Sequence, residues 1–257
     1  MVMQFGSFDL AYLLPFIAIG FAAQLVDGAL GMAFGVISNT LLLIAVPGMS
    51  PAVASQRVHL VECFTTATSG ISHLLHGNID KRLFFKLLIP GMIGGICGAY
   101  VLTSFDGDTV KPFVLTYLAG IGIYILARGL FYPPKIKEAR LIAPLGLFGG
   151  FLDAAGGGGW GPVVTSNLLI QGADPRKVVG TVNSVEFFLT ITVSAAFIYR
   201  LGLADIAGPT LGLLIGGLAA APLGAWAAKH FNPKTMLILV GIVLTLTSGY
   251  GVYRAWG

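Results

Sequence analysis

The sequence predicts an all-α polytopic membrane protein of two inverted repeats, each a broken or re-entrant helix hairpin plus three transmembrane helices, about eight to ten helical segments in all. Three observations predict it. Of 257 residues, 56% are hydrophobic and only 10% charged. The mean hydropathy is +0.86, so there is too little polar surface to coat a soluble globule. A glycine-rich break, Asp153-Ala154-Ala155-Gly156-Gly157-Gly158-Gly159-Trp160-Gly161-Pro162, has an earlier echo in Asp27-Gly28-Ala29-Leu30-Gly31-Met32-Ala33-Phe34-Gly35. The Lys and Arg residues, lastly, segregate best when each half crosses the bilayer an odd number of times.

Four consecutive glycines hold a helix poorly, so the chain unwinds there. At membrane depth such a break survives only when buried in protein or lining a wet cavity. The two breaks lie 126 positions apart (153 − 27), with Phe34 matching Trp160 and Gly35 matching Gly161. Further along, the offset is 124 at Pro51/Pro175 and Glu62/Glu186 (186 − 62), then 122 at Gly94/Gly216 (216 − 94). Such drift is what changes in loop length produce in an internal duplication.

In order, the apolar segments of the first half are 10–26, 29–46, 54–75, 84–103 and 112–131; those of the second are 141–152, 160–170, 178–199, 206–228 and 235–253. The Pro- and Lys-bearing connector 132–140 is the linker, read as cytoplasmic, between a first repeat 1–131 and a second 141–257. Spanning the hydrocarbon takes roughly 20 helical residues, so 141–152 and 160–170 read as a hairpin that enters and returns. The first pair is longer, and its segments read either as two spans or as a similar hairpin. With paired hairpins, Lys81, Arg82, Lys86, Arg128, Lys135, Lys137, Arg140, Arg176, Lys177, Lys229 and Lys234 share one side, and Arg57, Lys111, Arg200 and Arg254 the other. The positive-inside rule then puts both termini outside the cytoplasm of a multi-pass plasma-membrane protein. The first ten residues carry no Lys or Arg, and no cleavable signal peptide is expected. Gly91-x-x-x-Gly95, Gly94-x-x-x-Gly98 and Gly212-x-x-x-Gly216 read as helix-packing faces, and Tyr132, Tyr199, Trp226, Tyr253 and Trp256 as interfacial anchors.

In the third segment His59, Glu62, Thr66, Ser69, His73 and His76 recur at helical steps, giving one polar face. Its counterpart carries Asn183, Glu186 and Thr190, then turns apolar at Val193 and Phe197. Ionisable residues at this depth face an interior cavity, so Glu62 and Glu186 read as pathway or proton-coupling groups, against a purely structural role as hydrogen-bonded carboxyls. His59, Glu62 and His73 also have the chemistry of a divalent metal site, although the second half does not repeat the histidines. Asp27 and Asp153 have two readings. As caps they satisfy N–H groups at the start of each second arm. As site residues they flank an anion held by free backbone N–H groups at the glycines, with Asp27 and Asp153 joining the proton-coupling set. Candidate substrate-binding residues are therefore Gly28, Gly31, Asn39, Arg57, His59, Gly156, Gly157, Gly158, Gly159, Thr165, Ser166, Asn167 and Asn183. Carboxylates beside an anion repel it unless protonated or capped.

The duplicated breaks, the Pro-x-hydrophobic run after Gly161, and the entries Ala54-Ser55 and Gly180-Thr181, each followed by a Glu-bearing helix, resemble the TauE/SafE sulfite exporter family over nearly the whole chain. The first half departs from the pattern at Leu30, Met32, Ala33 and Val36. The resemblance implies a plasma-membrane carrier of sulfite, sulfonates or related small sulfur-containing anions, coupled to protons.

The resulting expectation is a secondary transporter working by alternating access, not an enzyme, with no cofactor. Its partners are the anion and the lipid bilayer, a homodimer stays open, and the scattered basic residues form no nucleic-acid face. Nothing matches G-x-x-x-x-G-K-[ST], so direct ATP drive would need another subunit. The rivals are the divalent metal transporter and a membrane sulfur-relay enzyme. The latter lacks an activated nucleophile, since Cys63 and Cys97 read as buried free thiols without basic neighbours in sequence.

Overall fold

Helix starts are set by short polar caps. Ser50 accepts the Val53 N–H at 3.3 Å just before Pro51, and Asp174 accepts the Arg176 N–H at 2.9 Å just before Pro175. Asp80 accepts from Arg82 and Leu83. Asp106 accepts the Thr109 N–H and hydroxyl, which together hold its exposed carboxyl below the ordinary carboxylate range. These caps start helices three to five residues ahead of the apolar runs, because a cap needs only a side-chain oxygen and no burial.

The computed structural model describes residues 10–131, 141–171, 173–203, 208–224 and 232–256. Its helices are α1 (Leu10–Leu30), α2 (Phe34–Ala45), α3 (Pro51–Leu75), α4 (Lys81–Thr103), α5 (Gly107–Leu130) and α6 (Ile142–Gly156). A π-helical stretch, Trp160–Thr165, then runs into α7 (Ser166–Ile170), followed by α8 (Pro175–Leu201), α9 (Pro209–Ala220) with a 3₁₀ turn at Ala221–Leu223, and α10 (Pro233–Trp256). Among the described residues there is no strand. The connector 132–140, with Tyr132, Lys135, Lys137 and Arg140, lies outside the described residues, as do Trp226 and Lys229.

Among the described residues five helices, α1, α4, α5, α8 and α10, are long and apolar enough to cross a membrane. The chain is thus an all-helical polytopic membrane protein. Helix α3 has 25 residues but is too polar to join that set. Its His59, Glu62, Thr66, Ser69 and His73 are all buried inside the protein, whereas His76 at its end is exposed. Helices α2 and α6 and the Pro209–Leu223 segment are shorter than a span.

The first arms run further than the apolar pattern suggests. Helix α1 continues through Asp27 to Leu30, and α6 continues through Asp153 to Gly156. Each is followed by a left-handed glycine, Gly31 (φ 66°) and Gly157 (φ 75°), whose N–H returns to the carbonyl of that aspartate. These two glycines are also 126 apart (157 − 31), so both breaks end in the same cap. Ala33 stands at φ 109°, a conformation an alanine adopts only under strain.

Glycines set the close helix crossings. A Cβ on Gly94 would lie 2.0 Å from the Leu147 carbonyl oxygen, and one on Gly98 would lie 2.4 Å from that of Phe151, so α4 and α6 run side by side in parallel. Gly216 meets the Ile17 carbonyl in the same way, and Gly28 meets Gly224, joining α1 to α9 in the same sense. The small-residue motifs are packing faces, as their spacing predicts. The other pairs run antiparallel. Gln56 at the start of α3 donates to Gly202 past the end of α8, while Lys177 near the start of α8 donates to Gly77 past the end of α3. In the same sense, Gly122 meets Thr245 and Gly129 meets Ile238 between α5 and α10. Large apolar side chains such as Phe85 and Leu246 point outward, as a lipid-facing surface requires. Both cysteines are free, but neither is buried as the sequence suggested: Cys63 is half-buried and Cys97 is exposed on this outer surface. Tyr199, Tyr253 and Trp256 are also outward and exposed.

Candidate functional site

Where the two breaks meet, the backbones touch. A Cβ on Gly158 would lie 2.5 Å from the Val36 nitrogen, and one on Gly161 would lie 2.5 Å from the Met32 Cα. The Thr165 hydroxyl donates to the Gly31 carbonyl at 2.8 Å, and Ser166 donates to the Met32 sulfur at 3.8 Å. Thr165 and Ser166 therefore tie the second break to the first.

Asp153 organises its own loop. Its carbonyl accepts the Gly157 and Gly158 N–H groups, and its Oδ1 accepts those of Gly159 at 2.8 Å and Trp160 at 3.0 Å. Of the two sequence readings of Asp153 the structure shows the cap, so the N–H groups that the other reading left free for an anion are occupied by Asp153 itself. A carboxylate one turn back in a helix is tethered at high effective concentration, so it fills the cradle that the glycines open. The first break repeats this in outline, with the Asp27 carboxyl facing the Phe34 N–H.

The remaining oxygen of Asp153, Oδ2, lies 3.1 Å from His59 Nε2, both groups being buried. His59 Nδ1 lies 2.7 Å from the Ser55 carbonyl, an atom that only accepts, so Nδ1 carries a proton. The Nε2–Oδ2 contact then needs one more proton, held by either the imidazole or the carboxyl. Ser55 also donates its hydroxyl to the Ala154 carbonyl at 3.0 Å, which locks α3 to α6 at this level. Among the described residues the second half offers no such partner to Asp27. At the equivalent of His59 it has Asn183 (183 − 59 = 124), whose amide donates to Val179 and accepts from Ser69.

Glu62 and Glu186 complete the centre. A Cβ on Gly35 would lie 3.1 Å from Glu62 Oε1, placing that carboxyl at the junction of the two tips. Glu62 and Glu186 are both electrostatic neighbours of Asp27 and Asp153, and Glu186 also of Glu62. The Oε2 atom of Glu186 and the Oδ1 atom of Asn39 are buried without a hydrogen-bond partner. Asn39 presses against Gly157 and donates its amide to the Gly35 carbonyl at 3.1 Å.

The centre thus gathers Asp27, Gly31, Asn39, His59, Glu62, Asp153, Gly157, Gly158, Gly159, Thr165, Ser166, Asn183 and Glu186. Other candidates lie apart. Gly28 is pressed on Gly224 and Gly156 on the Tyr117 ring, so both serve helix contacts. Asn167 donates to the Val163 carbonyl one turn back, and Arg57, half-buried, makes no hydrogen bond or ion pair to either break among the described residues. His73 meets Asn78 at 3.3 Å and the backbone of Gly28 in the first break, fourteen residues and about 21 Å of helix away from His59. His59, Glu62 and His73 therefore do not converge, and no group of three or more His, Cys, Asp or Glu is gathered for a metal among the described residues.

Tyr117 escapes any sequence pattern. Its hydroxyl donates to the Gly158 carbonyl at 3.1 Å and its ring backs Gly156. A single aromatic on an apolar helix carries no periodic signal, so only the packing reveals it. The Trp160 indole donates to the Val182 carbonyl at 3.3 Å and Thr181 accepts the Asp80 N–H, which anchor this break and α4 to α8.

Comparison with known proteins places this centre in context. The chain matches the family model described as Sulfite exporter TauE/SafE over residues 16–251. It is 44% identical over 253 residues to the probable membrane transporter protein YtnM of Bacillus subtilis (strain 168), covering 95% of this chain and 84% of that one. No solved structure matches the chain. With the match running from within α1 to within α10, across both breaks and the buried carboxyls between them, the chain belongs to the TauE/SafE family of membrane transporters.

Proposed function

We propose that this transporter carries sulfite, a sulfonate or a related small sulfur-containing anion by alternating access, coupled to protons, with the substrate meeting the protein between the two breaks. The observation that carries this is the gathering of Asp27, Glu62, Asp153 and Glu186 around the touching tips, with the His59 imidazole on Asp153. Two like charges about 4 Å apart repel by about 4 kcal/mol at an effective dielectric near 20. An anion therefore enters such a centre only when the carboxyls hold protons, and the two move together. The orphaned Glu186 Oε2 and Asn39 Oδ1 are polar atoms with capacity left for a substrate or its protons.

The antiparallel runs of α3 with α8 and of α5 with α10 support two halves of opposite orientation, the arrangement that lets one site face each side in turn. In this proposal the end bearing Lys177 and Gly77 is cytoplasmic and the termini are outside. A cysteine replacing exposed His76, in a background without Cys63 and Cys97, is expected to react with an impermeant maleimide only from the cytoplasm. One replacing Leu203 is expected to react only from outside, and labelling of both from one side removes the inverted arrangement.

The direct test is flux in proteoliposomes across sulfite, sulfate, thiosulfate, a sulfonate and a divalent metal ion, with and without a pH gradient. For one coupled proton, each pH unit is worth about 1.4 kcal/mol, or about tenfold accumulation. Glu62→Gln and Glu186→Gln are expected to keep anion binding yet lose that gradient-driven accumulation, Glu62→Gln the more severely because it shares α3 with His59. Accumulation unchanged from the parent in both variants assigns these carboxyls a structural role.

A further inference from the structure

Well away from the breaks, the end of α2 and the loop after it, the start of α5 and the end of α10 line a half-open cavity of about 400 Å³. Its base is apolar, with Ile44 and Leu115 packed close to Gly251. Its polar lining is Lys111, Arg254, Asp108 and Tyr250. The Lys111 ammonium makes one long contact, 3.4 Å, to the Met49 carbonyl. Among the described residues the one ion pair within 4 Å is that of His59 with Asp153, so Lys111, Arg254 and Asp108 share this cavity without pairing. Two residues beyond Lys111 and Arg254, the rings of Phe113 and Trp256 meet edge to face at 5.5 Å. Helices α5 and α10 are both long enough to span, so their ends, marked by Tyr253 and Trp256, lie at headgroup depth.

We propose that this cavity binds the headgroup of an aminophospholipid. Lys111 and Arg254 would take the phosphate, Asp108 the ammonium, and the glycerol end of the acyl chains would lie on Ile44 and Leu115. The charge order fits a zwitterion: two cations flank one anionic group, and a single carboxylate beside them suits a cation carried on the same molecule. The apolar base argues for a lipid over a free phosphate, which has nothing to place there. The proposal is independent of which anion the protein transports.

The test is native mass spectrometry of the purified full chain in detergent, with phosphatidylethanolamine, phosphatidylglycerol, diacylglycerol or inorganic phosphate added separately. The parent is expected to retain phosphatidylethanolamine in preference to diacylglycerol. The double variant Lys111→Gln/Arg254→Gln is expected to lose phospholipid adducts by about tenfold or more. Arg254→Lys keeps the charge and should keep most adducts, so it separates lost charge from lost folding. Asp108→Asn should weaken phosphatidylethanolamine while leaving phosphatidylglycerol unchanged. Equal phospholipid retention in the parent and the double variant overturns the proposal. So does displacement of bound lipid by millimolar inorganic phosphate, which would mark a small-anion site instead.

Discussion

Gly158→Val is expected to abolish transport and to lower the melting temperature of the purified protein by many degrees. Gly158 has φ 132°, a region that residues with a Cβ almost never enter, and its Cβ would lie 2.5 Å from the Val36 nitrogen and 2.8 Å from the Gly35 carbonyl carbon. Those atoms are backbone of the opposite break and cannot rotate away. Strain and overpacking together cost about 3 kcal/mol or more, a large part of a typical stability of about 5–15 kcal/mol. Gly48→Ala is the control, because Gly48 also has positive φ (73°) but nothing within 4 Å of a new Cβ. It should lose only about 1 kcal/mol and keep its flux. Fluorimetric melting and sulfite flux on the same preparations decide the matter, and a Gly158→Val protein with parental flux would show that the two tips need not touch.

The second large effect separates proton carriage from folding at Asp153. In Asp153→Asn the amide oxygen still accepts the Gly159 and Trp160 N–H groups, while its NH₂ donates to His59 Nε2 in place of the shared proton. The loop should therefore stand, with a melting temperature within a few degrees of the parent, and gradient-driven accumulation should fall about tenfold per pH unit. Asp153→Ala removes the acceptor for two buried N–H groups and leaves His59 without its partner, at a cost of about 2–5 kcal/mol, so it should melt far earlier. If Asp153→Asn accumulates substrate in a pH gradient like the parent, the His59–Asp153 pair is a structural hydrogen bond and the proton travels elsewhere.

Several features of this protein follow from sequence because their causes are local. Apolar runs long enough for the bilayer, glycines that end helices, and Ser or Asp caps ahead of prolines act within a few residues of themselves. The 126-residue echo from Asp27 to Asp153 likewise needs only matching chemistry, and the Glu62/Glu186 equivalence follows from the same duplication. The polar face of α3 was legible through its period, although His73 reaches the Gly28 backbone rather than the carboxyls and His76 is exposed. A period names a face and says nothing about which level of it a distant element will meet.

Tertiary structure decided between the two readings of the glycine cradle. In sequence the N–H groups of Gly157 to Trp160 are either capped by Asp153 or open to a substrate, and the fold shows Asp153 turned back onto them and bound to His59, 94 positions away. The same holds for Tyr117 under Gly158, for Gly28 and Gly156 as packing points, and for the contact of the two breaks. The physical reason is range. Helix propensity, capping and hydropathy are settled within one or two turns, whereas a buried hydrogen bond is settled by which distant group arrives to satisfy it.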